Sequence, residues 1–316
     1  MTKATHRIAT LLAATCLMAQ ITAAETLSGA DCAKLWQDAS VLTGSFETRT
    51  VDKITTVEGW CQLDGVRLGS MAPYSPRFQI ARLSFRGEGL AGLFDFGEPP
   101  VSFDLTLEDL VVSVTIADPV MTYLIAAQAG ARGIDADLSI GWQAASQTLS
   151  LHHLKLDFTG DNEITAAATV HGVDLSSAAA AQASLSTLRI SAIEGSILSN
   201  GLFENYALVP LGTMVLGATE DPEARVLALK SQAAVAIAAL PEPQFSAATR
   251  SALTVVLAQM PNPAGRLDFQ LLSESGLGLD QLTSFALLDG PEAVAAMAGL
   301  FASVTGQATF VPTKPK

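Results

Sequence analysis

The sequence predicts an α+β fold: a long, curved antiparallel β-meander sheet packed with C-terminal α-helices. Three observations predict it. Over residues 76–198 apolar side chains recur at every second position, the period of strands with one buried face. That alternation slips by one residue at several points, where a β-bulge must absorb the extra residue and bend the sheet. Beyond residue 199 the pattern becomes that of alanine-rich helices stopped by closely spaced prolines.

Taken in order, the chain begins with Lys3, His6 and Arg7, an apolar run over residues 8–21, and the small residues Thr22, Ala23 and Ala24 before Glu25. This is the pattern of a secretory signal peptide, residues 1–24, and it predicts a periplasmic protein. The run is shorter than the ~20 residues of a transmembrane helix, and no later apolar run reaches that length. Cys16 follows Thr15 rather than a glycine or alanine, which argues against lipidation. The 316 residues carry 31 Asp+Glu against 18 Lys+Arg, a formal charge of −13. Without residues 1–24 two cations and no acid are lost, leaving 16 against 31, or −15. So few cations exclude a nucleic-acid partner and electrostatic attachment to anionic lipid. A hydrophobic fraction of 49% with only 16% charged residues excludes intrinsic disorder.

Residues 25–75 form a disulfide-tied N-terminal segment. After processing, Cys32 and Cys61 remain, an even pair in an exported chain, closing a loop of about 30 residues. No histidine is near either cysteine in sequence and the spacing is far from CxxC, which argues against a metal site or a thiol nucleophile. The bridge ties a short helix over 29–39, with Leu35 and Trp36 for packing, to the segment around Trp60.

Residues 76–198 form the antiparallel sheet region. Val101, Phe103, Leu105 and Leu107 alternate with Ser102, Asp104, Thr106 and Glu108. The same alternation runs through 134–142, 149–158, 164–170 and 188–192, with turns at Ala145-Ser146-Gln147 and Gly160-Asp161-Asn162. Phase slips fall at Ala81-Arg82, Glu108-Asp109, His152-His153 and His171-Gly172. A helical stretch is expected over 119–129. Residues 199–311 form a helix-rich region packed on the sheet, with helices at 223–240, 246–260, 280–288 and 292–303 and strands at 266–272 and 306–311; residues 312–316 are a tail.

Signatures of chemistry are sparse. Gly87-Glu88-Gly89-Leu90-Ala91-Gly92 is a literal GxGxxG after a strand, but the aromatic, glycine and proline residues that follow do not open the helix that phosphate binding needs. His152, His153 and His171 are the histidines left after processing. Neighbours on a strand point to opposite faces, so His152 and His153 share a ligand only if a bulge turns them together. Asp135 with Asp137, and Asp104 with Glu108, share strand faces and read as solvated polar surface. Asp161-Asn162-Glu163 lacks the ligand count of a calcium loop. No GxSxG, HExxH or phosphate loop occurs, so no catalytic residue, cofactor or metal is expected.

Leu188 to Gly195, then Gly201-Leu202-Phe203-Glu204-Asn205-Tyr206, the alanine-rich helical part, and Asn262-Pro263-Ala264-Gly265-Arg266-Leu267-Asp268-Phe269 resemble bacterial envelope proteins of the AsmA-like kind, over roughly residues 75–310. The resemblance implies long antiparallel sheets and, from some members, lipid handling between membranes. It carries over no site residue, and the membrane anchor and very long groove of the large members are missing. The leading expectation is a non-catalytic periplasmic protein that binds a lipid or other apolar ligand on the curved sheet or between sheet and helices, with Phe103, Leu105, Leu138, Trp142 and Leu156 facing the ligand. The alternatives are a protein-interaction or scaffolding component of the envelope and a hydrolase of unknown substrate.

Overall fold

The structure is a computed structural model that describes residues 27–39, 46–70, 72, 75–90, 99–114, 116–131, 133–208, 212, 216, 220–278 and 301–313. The expected leader 1–24, the last two residues of the GxGxxG run, the helix at 280–288, nearly all of that at 292–303, and residues 314–316 of the tail lie outside the described residues.

Helix α1 (Gly29–Asp38) starts at a capping box: the Ser28 hydroxyl accepts from the Asp31 amide, and the Asp31 carboxylate accepts from the Ser28 amide at 2.8 Å. The helix buries Cys32 and Leu35, and Cys32 is bonded to Cys61 with the two Cα atoms 5.6 Å apart. The disulfide expected from the cysteine count is therefore present.

Eleven described strands make one open antiparallel sheet. β1 (Thr48–Thr50) and β2 (Lys53–Val57) both pair with β3 (Trp60–Gly69), and from there each strand pairs with the next in the chain. The order is β4 (Pro76–Arg86), β5 (Ser102–Val114), β6 (Ile134–Gln143), β7 (Thr148–Phe158), β8 (Asn162–His171), β9 (Arg189–Ser199), β10 (Gly265–Gly278) and β11 (Val304–Pro312). Helix α2 (Pro119–Gly130) joins β5 to β6 and α3 (Ala178–Thr187) joins β8 to β9. Between β9 and β10 come a π-helical turn at Phe203–Ala207 and helices α4 (Pro222–Ala238) and α5 (Ala247–Gln259); α4 packs on α5, and α5 on β11.

The register follows from the apolar pattern. Reading across the strands, Leu63 pairs with Leu83, then Leu107, Ala136, Leu156, Ile164, Ile197, Leu267 and Phe310. Every member of that row is apolar, because a slip by one residue would send a whole strand's apolar set to the polar face. The bulges expected at Glu108-Asp109 and His152-His153 are present as register shifts. At Ala81-Arg82 the register continues without a shift: Gly65, at φ +65°, and Asp109, at φ +53°, stand opposite Ala81, so three strands slip at one level and the mismatch emerges only against β6. His171 ends β8 and Gly172, at φ +74°, begins the turn, so no bulge forms there; the extra residue sits instead on β9 at Ser191.

Two buried clusters lie at opposite ends of the strand order. Leu27, Cys32 and Leu35 pack on Cys61, Leu63, Val66 and Ile80, with Leu90 added from the loop; Leu240, Phe245, Leu277 and Val304 form the second. The polar face carries lateral ion pairs. Arg82 bridges Asp64 and Glu108, Arg86 pairs with Asp104, and Lys155 reaches Asp157 and Glu163. No helix among the described residues is long and apolar enough to cross a membrane.

Candidate functional site

The alanine-rich composition of α4 has a direct spatial result. Ala233, Ala236 and Ile237 of α4 and Thr249 and Leu253 of α5 face Leu267, Phe269 and Leu271 of β10 and Gly306 and Ala308 of β11. Four of these residues are alanine or glycine, so the walls stay apart and leave a cavity of ≈ 550 Å³. Ligand pockets span about 300–1,000 Å³. Leu240, Phe245 and Phe301 also line it, with the two phenyl rings edge to face at 5.4 Å.

Polar groups are few in this lining. The Thr249 hydroxyl lies 3.0 Å from the Ser246 hydroxyl and accepts from the Ala308 amide at 3.4 Å. At the Leu240 end, the Arg250 guanidinium donates to the Leu240 carbonyl at 3.1 Å and to Glu242 at 2.6 Å. Gly306 is required by close approach: its amide donates to the Gln244 carbonyl at 2.9 Å, and a Cβ there would run into the Phe245 ring.

The opposite face of the same strands carries a polar hollow of ≈ 480 Å³, lined among others by His152, His153, Glu194, Arg266, Asp268 and Gln270. The bulge in β7 does turn both histidines to this one face, where the His152 ring covers Gly141. Arg266 is held by Asp268 at 2.9 Å and donates to Ser196 at 3.0 Å. No group of three or more His, Cys, Asp or Glu suited to a metal occurs among the described residues.

His171 lies apart from that pair. Its Nδ1 is 3.1 Å from the Thr148 hydroxyl and its Nε2 is 3.0 Å from the Ser191 hydroxyl. The described part of the GxGxxG run is a strand connection: Val101 donates to the Glu88 carbonyl, the Glu88 amide donates to Ser102, and Leu90 is buried. No protein-family model and no curated protein matches this chain.

The five residues expected to face a ligand lie elsewhere on the sheet. Trp142 is buried, its indole N–H donating to the Val173 carbonyl at 2.9 Å. Phe103 packs against the N-terminal cluster. Leu105 pairs with Leu138 across β5 and β6, Leu156 pairs with Ala136, and all three leucines are half-buried. None of the five is among the lining residues of the cavity. The sequence does not single out the cavity residues, because the signal is a coincidence of small residues on α4 and β11, two elements far apart in sequence.

Proposed function

We propose that this chain is an exported periplasmic protein that holds a lipid acyl chain, or a comparable apolar ligand, between helices α4 and α5 and the end of the sheet. The observation that carries the reading is the apolar cavity of ≈ 550 Å³. The signal-peptide pattern of residues 1–24, the Cys32–Cys61 disulfide and the AsmA-like resemblance support export and a lipid role. The described lining contains no acid and no base, and the reading is one of binding.

Each methylene that leaves water contributes about 0.8 kcal/mol, or about fourfold in affinity. Displacement of a fluorescent fatty acid by a graded series of unlabelled ones should therefore improve with chain length and then level off when the cavity is full. Ala236→Leu, which fills the space, should lower the limiting affinity at least tenfold without lowering the melting temperature. Equal affinity for all chain lengths, or an Ala236→Leu variant that binds as the wild type does, overturns the reading.

A second reading, an interaction component of the envelope, is favoured by α2. This helix has no charged residue, and Val120, Tyr123 and Leu124 are 66%, 71% and 51% exposed. A photo-crosslinking residue at position 123 should then capture one defined protein in intact cells, and capture of none removes this reading.

A further inference from the structure

Ser191, His171 and Thr148 sit side by side although 43 positions separate the first from the last. They meet because β9 carries its extra residue at 191: Thr169 faces Ala192 and Val170 faces Ile190, so Ser191 has no partner on β8 and its hydroxyl reaches across to His171. The Thr148 side chain, on a residue only 9% exposed, donates to the Ser146 carbonyl at 3.2 Å and lies 3.1 Å from Nδ1 of His171. One proton arrangement that fits these distances keeps the Thr148 proton on that carbonyl and has its oxygen accept from Nδ1–H, which makes Nε2 the acceptor 3.0 Å from Ser191. The Ser191 proton has one other acceptor in reach, the Thr169 carbonyl at 3.3 Å.

Ser191 also lines a hollow of ≈ 440 Å³ with Leu272, Ser273, Glu274, Ser303 and Thr305. The far wall is irregular backbone. Between Leu272 and Leu277, β10 breaks register with β9, and its pairing with β11 runs only as far as Ser273. Glu274, Ser275 and Gly276 thus lie outside both ladders, and of the three Glu274 lines the hollow.

We propose that Ser191 and His171 are a nucleophile and general base that hydrolyse carboxylic esters, with Thr148 as a positioning residue. In the first step the Ser191 oxygen bonds to the ester carbonyl carbon while its proton passes to Nε2. The tetrahedral intermediate collapses, the bond to the alcohol oxygen breaks, and the proton on Nε2 goes to that alcohol. Water then attacks acyl-Ser191 by the same route in reverse, releasing the carboxylic acid and restoring the serine. The small, hydroxyl-rich hollow suits a short acyl group on a polar alcohol. This site lies apart from the apolar cavity and stands or fails independently of it.

The test uses the folded protein, a fluorophosphonate probe and p-nitrophenyl acetate. The probe should place one label on Ser191, and prior unfolding should abolish it. Ser191→Ala and His171→Gln should each lower acetate hydrolysis about 100-fold, to the same residual rate. Thr148→Val should slow labelling and move its pH profile, and Thr148→Ser should restore both. Wild-type protein that takes no label on Ser191 overturns the proposal whatever the variants do, as does hydrolysis unchanged in a folded Ser191→Ala variant. Fatty-acid displacement should be the same in Ser191→Ala as in the wild type.

Discussion

At the scale of single residues, the N-terminal segment depends on two local devices. The Ser28 cap satisfies an amide that would otherwise lack a helix partner, and Ser28→Ala should cost about 1 kcal/mol in urea unfolding. Hydrogen bonds from the Ser28 side chain and then its amide hold the Asp31 carboxyl below its usual range; Arg67 does the same for Asp52, and Ser176 for Asp174. A depressed native value means that the unfolded chain takes up protons first. The stabilisation from these three acids is therefore complete above the ordinary carboxylate value of about 3.9 and is lost as pH falls through the lower native values. The melting temperature should stay level from neutral pH to about pH 5 and decline below about pH 4. Cys32 and Cys61 are 29 positions apart, and replacing both by serine should lower the unfolding free energy by about 3 kcal/mol.

At the scale of elements, the C-terminal end turns on Gly306. The Phe245 ring is 3% exposed and has nowhere to move, so Gly306→Ala should destabilise by about 1–3 kcal/mol, measurable by thermal unfolding. How far such elements are legible in the sequence depends on whether their signal is local. β5 and β7 were readable because Phe103, Leu105 and Leu107, or Leu154, Leu156 and Phe158, repeat at the strand period within a few residues. α4, observed at Pro222–Ala238, was readable from its prolines and alanines. β3 is not legible because Gly65 breaks its phase, placing Cys61 and Leu63 in one parity and Val66 and Leu68 in the other. A ligand space between sheet and helices is legible in the sequence, but the residues that line it are not. Ala236 and Gly306 are ordinary residues alone, and a void exists only because a helix and a strand 70 positions apart bring them together. The contact between Ser191 and His171 was hidden for a related reason, since it needs the bulge of β9 as well as both side chains.

At the scale of the whole molecule, the two buried clusters are separated by strands whose apolar face is only half-buried, as at Leu105, Leu138 and Leu156. Among the described residues, from β3 onward each strand pairs with the strands that precede and follow it in the chain. Stability should therefore vary along the sheet. Hydrogen exchange should be slowest in β3 and β4, where Leu63, Val66 and Ile80 are buried, and reducing the disulfide should accelerate exchange in β2 to β4 while leaving β9 to β11 unchanged. Uniform acceleration across all strands would show instead that the sheet opens as one unit.

The strand order carries a consequence for how the sheet is assembled. From β3 onward, spatial order and chain order of the described strands are the same, so each strand that emerges at synthesis finds its partner already present. Among the described strands the one long interval between partners is the crossing made by α4 and α5. That crossing is also where the cavity lies, so the ligand-sized space is the last part of the molecule to be enclosed, after the platform beneath it has been laid down strand by strand.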